Sequence, residues 1–183
     1  MKYIIAADIH GSAYYCERLL QVLKEEKADK LILLGDLLYH GPRNPLPKDY
    51  EPKKVAELLN DHKEEILAVR GNCDSEVDQM VLEFPMLAEY AFLELEGQTF
   101  LATHGHVYNE ENLPPMAPKT VLLNGHFHVP VFREVGAYVY VNPGSASLPK
   151  EDSVPSCLIY EGGNFKRINL DDLKVEAAYS LSS

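Results

Sequence analysis

Aspartate, histidine and asparagine recur in this chain where apolar runs stop. Tyr3-Ile4-Ile5-Ala6-Ala7 ends at Asp8-Ile9-His10, and Leu31-Ile32-Leu33-Leu34 ends at Gly35-Asp36. Ile66-Leu67-Ala68-Val69 runs through Arg70 into Gly71-Asn72-Cys73-Asp74. Phe100-Leu101-Ala102 leads to Thr103-His104-Gly105-His106, and Val121-Leu122-Leu123 leads to Asn124-Gly125-His126-Phe127-His128. Carboxylates, neutral imidazoles and an amide oxygen gathered in one place form a cage for a divalent cation. Such donors suit Mn, Fe, Zn, Ni or Co, and nothing in the set selects a thiolate-seeking metal. One such group alone means little, because loops are rich in these residues and a single histidine is more often a satisfied core imidazole. Five groups in order, each closing an apolar run, point to metal-assisted chemistry.

The runs that carry these groups read as strands, since short continuous apolar stretches mark buried strands. Sheets of α/β proteins place their sites at the carboxyl ends of strands. Asp8 and His10 lie two positions apart, so an extended backbone would send both to one side. After the first run, Gly11-Ser12 offers a turn and an N-cap. Tyr15, Leu19, Leu20, Val22 and Leu23 then form a helical stripe within 13–27. A second helix is expected to start at Pro52, a favoured first-turn residue, with Val55, Leu58 and Leu59 facing inward. A third is expected over 75–82. This alternation predicts a parallel sheet with right-handed crossovers. The second half differs. Segments 90–95 and 99–102 flank Glu96-Gly97-Gln98, and 157–160 and 165–168 flank Glu161-Gly162-Gly163-Asn164. Both pairs read as hairpins, expected to build a second sheet. The proline-rich segments 38–52 and 108–118 leave the same rim as the candidate ligands, as substrate-lining loops or as plain connections.

With 183 residues, one domain spanning 1–183 is expected. Apolar residues make up 46% and charged residues 25%, ordinary values for a globule. No apolar stretch approaches the roughly 18 residues that cross a bilayer, and Met1-Lys2-Tyr3 leads into a strand without a signal-peptide pattern. The three cysteines, Cys16, Cys73 and Cys157, form no CxxC pair, and their odd number argues against a disulfide framework. A cytoplasmic protein without membrane association is the expectation. The formal net charge of -11 speaks against stable nucleic-acid binding, which draws its affinity from clustered Lys and Arg. It leaves phosphate substrates open, because bound cations reverse the local sign at Asp8 and Asp36.

Taken in order, Asp8-x-His10, Gly35-Asp36, Gly71-Asn72-x-Asp74, His104 and Gly125-His126-x-His128 resemble the ligand series of the calcineurin-like metallophosphoesterases. The resemblance spans nearly the whole chain without large insertions. Within that superfamily, Gly71 to Met80 and His40-Gly41-Pro42-Arg43-Asn44 look like the bacterial phosphodiesterase branch. The resemblance implies an α/β fold, a four-layer sandwich of two mixed β-sheets flanked by helices. It implies two divalent metal ions, with Mn favoured and Zn, Fe, Ni or Co as alternatives. Asp8, His10, Asp36 and His128 would hold one ion; Asp36, Asn72, His104 and His126 would hold the other, with Asp36 bridging. The implied activity is hydrolysis of small phosphate diesters by attack of a dimetal-bridging hydroxide. A small phosphodiester is the expected partner, and homo-oligomerisation is left open.

The chain departs from most of the family at Cys73, where relatives carry a histidine that helps the phosphate or the leaving group. A thiol, with an ordinary pKa of about 8.5, is a poorer donor. This points to leaving groups that depart without much protonation, or to a Cys73 that simply packs as a small apolar residue. His106, two residues past His104, and Arg43 in the proline-rich loop are the other candidates for touching substrate, with His40 beside Arg43. Arg70 reads as a salt-bridge partner, His62 as a solvated surface residue, and Asn142-Pro143-Gly144-Ser145 as a turn supporting the rim. No cap domain is expected, so the cleft should be open. Alternatives within the class are a phosphomonoesterase and a cyclic-nucleotide phosphodiesterase. From another class comes a non-catalytic protein-binding scaffold, the role that a eukaryotic retromer subunit of this fold plays. The complete ligand set favours catalysis.

Overall fold

In a computed structural model describing residues 1–181, the first apolar runs form β1 (Tyr3–Ala6), β2 (Lys30–Leu33) and β3 (Ile66–Ala68). They lie side by side and parallel, Ile4 opposite Leu31 and Leu31 opposite Ile66. Their connections carry α1 (Ala13–Glu25) and α2 (Pro52–Asn60). Ser12 caps α1 through its Oγ, which accepts from the Tyr15 amide at 3.3 Å, and Pro52 opens α2, where a missing N–H loses no bond. Alternation along β1 divides the core. Ile4 and Ala6 face the helices with Leu19, Leu23, Val55 and Leu59. Tyr3, Ile5 and Ala7 face the other way, against the second sheet.

The second sheet holds β4 (Tyr90–Leu95), β5 (Gln98–Thr103), β6 (Val121–Leu123), β7 (Pro130–Val135) and β8 (Tyr138–Pro143), in the order β4-β5-β6-β8-β7. Only the first of the two expected hairpins lies here. The second, β9 (Ser156–Glu161) and β10 (Asn164–Asn169), joins the first sheet together with β11 (Val175–Ser180). The reason lies in β1, which is buried along its whole length and needs a partner on each edge. β9, itself buried over its first five residues, supplies the second partner, antiparallel, with Ile4 opposite Ile159. Both sheets are therefore mixed.

The third helix, α3 (Glu76–Gln79), is shorter than expected and buries none of its residues. Val77, Met80 and Val81 are exposed and offer no face to pack, so the turn is held by polar contacts, the Ser75–Asp78 capping box and the Gln79 side chain, which donates to Leu82 O and Phe84 O. Helices cover the first sheet. On the outer face of the second, Leu101, Leu122 and Tyr140 are packed by Met116 from segment 108–118. The result is the expected metallophosphoesterase-type α/β fold of two mixed sheets, here with few helices. Among the described residues, no helix is long and apolar enough to cross a membrane. β1, β2 and β3 deliver their carboxyl ends to the rim where the parallel strands β5, β6 and β8 deliver theirs.

Candidate metal centre

The expected shared side of an extended strand is not how Asp8 and His10 meet. β1 ends at Ala6, and both residues are left-handed, with φ of 57° and 51°. Asp36, His126 and His128 are left-handed too, at 58°, 64° and 61°. Aspartate and histidine enter this region more readily than most side chains. The residue types suited to ligate are thus also ones that sharp strand exits accept. Two glycines permit the close approach of these loops. A Cβ on Gly71 would lie 2.1 Å from Asp36 Oδ1, and one on Gly125 would lie 2.5 Å from Ala7 Cβ.

Backbone carbonyls fix the imidazoles. His10 Nδ1 meets Tyr39 O at 2.8 Å, His104 Nδ1 meets Leu34 O at 2.6 Å, and His128 Nδ1 meets Leu148 O at 2.6 Å. A carbonyl only accepts, so each Nδ1 carries a proton and each Nε2 turns its lone pair inward. His128 Nε2 lies 3.3 Å from both His10 Nε2 and Asp8 Oδ1. His104 Nε2 lies 3.4 Å from Asp36 Oδ2 and 3.0 Å from Asn72 Oδ1. His10 Nε2 stands 3.7 Å from both Asp8 Oδ1 and Asp36 Oδ2. The carboxylates are held from behind: Asp8 Oδ2 accepts from the His126 amide at 2.9 Å, and Asp36 Oδ1 accepts from the Cys73 amide at 2.8 Å. Among the described residues, Asp8 Oδ1 is left buried with no hydrogen-bond partner. Lone pairs and anions converging without a donor between them call for a cation, and these residues fit divalent metal. Among the described residues, three donor groups stand close enough to hold an ion: Asp8 with His10 and His128, Asp8 with Asp36 and His104, and His10 with Asp36 and Cys73.

Without metal, protons fill part of that role. Burial opposes charge on His104, but its bond to Asp36 and the charges of Asp8 and Asp36 outweigh it and raise the imidazole to about 9. Burial, then the charged His104, lowers His126 to about 4. Burial lowers His10 and His106 as well. Burial also disfavours ionised Asp36, yet His104 and the Cys73 amide hold its carboxyl well below the usual carboxylate range. Burial, and then the Asp36 charge, pushes the Cys73 thiol up to about 12, so no nucleophilic thiolate forms there.

Two supports lie behind the ligands. Asp74 stands inside the Gly71-Asn72-x-Asp74 series, but sequence reasoning gave it no task. Its Oδ2 accepts from the amides of Asp36 (2.8 Å) and Gly71 (2.7 Å), and its Oδ1 from the amide of Leu37 (2.9 Å). The loops after β2 and β3 are tied together through one carboxylate. Burial raises that carboxyl to about 6 against the pull of these amides. The turn at Asn142 acts as expected: Asn142 Nδ2 donates to Gly125 O at 2.8 Å, and Ser145 Oγ donates to Asp8 O at 2.8 Å.

A cleft of about 400 Å³ opens over the cage, lined by Asp36, Asn72, His126 and His128, by Cys73 and Arg43, and by Phe127 and Lys150. The last two were not singled out from the sequence; Phe127 sits between two candidate ligands, while Lys150 carries no local signal. His106 is exposed, its ring 5.4 Å from that of His104 and 6.2 Å from that of His126, beside the centre. His40 is packed between Tyr39 and Tyr50, with ring centroids 4.8 and 5.1 Å away, and does not line the cleft. Arg70 pairs with Glu76 at 3.4 Å, and His62 pairs with Glu65 at 2.9 Å.

This geometry agrees with the family comparison. The chain belongs to the calcineurin-like phosphoesterase superfamily, whose domain matches residues 1–164. It is an enzyme of the metallophosphoesterase class. Among its relatives, phosphodiesterase YfcE of Escherichia coli strain K12 is 44% identical over 182 residues, covering 100% of this chain and 99% of that protein. The solved structure of that E. coli phosphoesterase superposes with a TM-score of 0.96 at 43% identity, over 100% of both chains. Phosphodiesterase MJ0936 of Methanocaldococcus jannaschii is 26% identical over 154 residues, 79% of this chain and 83% of that protein. Vps29 of Entamoeba histolytica, solved as a zinc complex, shares the fold with a TM-score of 0.62 at 18% identity, over 98% of this chain and 99% of that one.

Proposed function

We propose that this chain is a single-domain, metal-dependent phosphodiesterase acting on small phosphate diesters. The observation that carries the proposal is Asp8 Oδ1, buried without a partner among inward-turned Nε2 atoms, below an open cleft. Asp8, His10, Asp36 and His128 would hold one ion, and Asp36, Asn72, His104 and His126 the other. Two divalent ions, when bound, supply Lewis-acid charge for the phosphoryl oxygens and an activated water as nucleophile. The chain's own residues prepare that centre. The carbonyls of Tyr39, Leu34 and Leu148 hold the imidazoles in the ligating tautomer. The amides of His126 and Cys73 orient the two carboxylates. Arg43 and Lys150 bring positive charge to the cleft of an acidic protein.

The diester preference draws support from the two relatives that carry the name phosphodiesterase and from Cys73. A thiol lining the cleft is a poorer proton donor to a leaving group than an imidazolium, which suits esters whose departing oxygen needs none. Mn is favoured, with Zn as its competitor since a zinc complex is known for Vps29. The three cysteines are free thiols, in keeping with a cytoplasmic enzyme. Metal removal with a chelator should abolish hydrolysis, and Mn or a similar ion should restore it on diesters ahead of monoesters. Full activity in excess chelator would sink the proposal; faster turnover of monoesters would move it to the phosphomonoesterase alternative.

A further inference from the structure

Phe127 is left in water where a smaller residue would serve. It sits between His126 and His128, both left-handed, and its own amide donates to Gly125 O at 2.7 Å, so its backbone has little freedom. The residue is 44% exposed, lines the cleft, and meets the His126 ring edge-on at 5.2 Å. Arg43 and Lys150 line the same cleft, and neither side chain forms an ion pair among the described residues. The Lys150 amide donates to His128 O at 3.1 Å, which ties the lysine's backbone to the loop that carries the phenyl ring.

A flat apolar platform beside two uncommitted cations defines a ligand with a π-face and an anion on one body. Stacking on an aromatic ring is tolerant of base identity. A guanidinium and an ammonium both bind phosphate. The scissile phosphate belongs at the cage, whose ions would neutralise it, so two further cations lining the same cleft have charge left for a second anion. We infer that the cleft contains a subsite for one ester arm of the substrate, with Phe127 under a nucleobase-like ring and Lys150 and Arg43 at an additional phosphate. This inference rests on the diesterase reading and narrows it to nucleotide-like diesters that carry a second phosphate.

Three substrates with the same p-nitrophenolate leaving group test it on the Mn-loaded enzyme: methyl p-nitrophenyl phosphate, thymidine 5′-(p-nitrophenyl phosphate), and the latter bearing a 3′-phosphate. In wild type the thymidine arm should raise kcat/KM about tenfold over methyl, and Phe127→Ala should remove that gain while Phe127→Tyr keeps it. The 3′-phosphate should add about tenfold through KM, roughly threefold for each exposed cation, and Lys150→Gln should reduce that increment to about threefold. Ratios near one in wild type, or ratios that both variants leave unchanged, overturn the subsite. If wild type hydrolyses none of the three, the diesterase reading has failed and the subsite is judged by binding alone. Titration calorimetry of thymidine 3′,5′-bisphosphate against thymidine 5′-phosphate must then show the same preference and the same dependence on Lys150 and Phe127. Equal affinities would reject it.

Discussion

Removing the Asp74 carboxylate would leave the amides of Asp36, Leu37 and Gly71, now held at 2.8, 2.9 and 2.7 Å, without an acceptor in a buried place. A hydrogen bond to a charged group contributes about 1.5–3 kcal/mol net. Burial penalises the carboxylate itself, as its rise to about 6 shows, so part of that gain returns when it is deleted. Taking the low end for each of the three bonds, Asp74→Ala should lose about 4–5 kcal/mol. Asp74→Asn keeps one oxygen. Placed where Oδ2 stands, it would still serve Asp36 and Gly71 but would set its NH2 against the Leu37 amide, at a loss of about 2 kcal/mol. The pH dependence separates this account from simple cavity formation. Because the folded pKa is raised, the Asp74 contribution is fully present below the unfolded value of about 3.9 and is lost as pH rises through about 6. The advantage of wild type over Asp74→Asn should therefore shrink from pH 5 to pH 7. Urea unfolding of the three metal-free proteins at both pH values measures this, and Mn titration calorimetry measures whether the ligand loops loosen. An Asp74→Ala midpoint equal to wild type at unchanged m-value would refute the tie. Lost stability with unaltered Mn affinity would show that Asp74 holds the fold but not the centre.

Asp36→Asn should disable turnover more thoroughly than His126→Ala, because Asp36 belongs to two of the three donor groups; near-normal turnover with two bound ions, counted by metal analysis, would contradict it. The metal-free protein should lose up to about 3 kcal/mol between pH 6.5 and 9, since the contribution of His104 is fully present below its unfolded pKa and is lost as pH rises through about 9. Mn affinity should rise over that window, and His104→Asn should flatten both curves in denaturation and calorimetry. Cys73→Ser should keep most diesterase activity, whereas Cys73→His should gain with alkyl leaving groups and not with activated aryl ones. A positioned general acid contributes about 10²–10⁴-fold at most, and a rate ratio that stays flat against leaving-group pKa would exclude position 73 from assisting departure.

The parallel half of the fold was legible because burial on both faces writes a continuous apolar run. Ile4-Ile5-Ala6 and Leu31-Ile32-Leu33 read as inner strands, and their ends placed Asp8 and Asp36 on one rim. The destination of β9 was not legible. Ser156 to Tyr160 is apolar on both faces and fits beside β1 or in the second sheet equally well by pattern; the free edge of β1, a tertiary fact, decides. The length of α3 was overestimated because Val77, Met80 and Val81 mimic a stripe that has nothing to pack against. At the centre, side-chain identity announced which residues would converge, but backbone conformation did not follow from it. The left-handed Asp8 and His10 replace the extended pair expected from their spacing. Asp74 was visible and unread, since a carboxylate that accepts only backbone amides looks in sequence like one more ligand.

The way these ligands are held bears on why the centre is made as it is. Five residues that converge on the cage have positive φ, a region that costs on the order of 1–3 kcal/mol for an ordinary side chain and less for aspartate and histidine. Their imidazole lone pairs face one another and two carboxylates, which adds repulsion until a proton or a cation intervenes. Apart from the proton that His104 takes up against Asp36 and Asp8, neither feature lowers the free energy of the metal-free fold. Both are tolerated because Asp74, Ser145 and Asn142 fasten the strand-exit loops from outside the cage, so the ligands stand in place before any ion arrives. An ion that binds only this folded arrangement stabilises it by mass action. The same preorganisation that weakens the metal-free protein would then make a loaded centre rigid enough to direct attack on a phosphate.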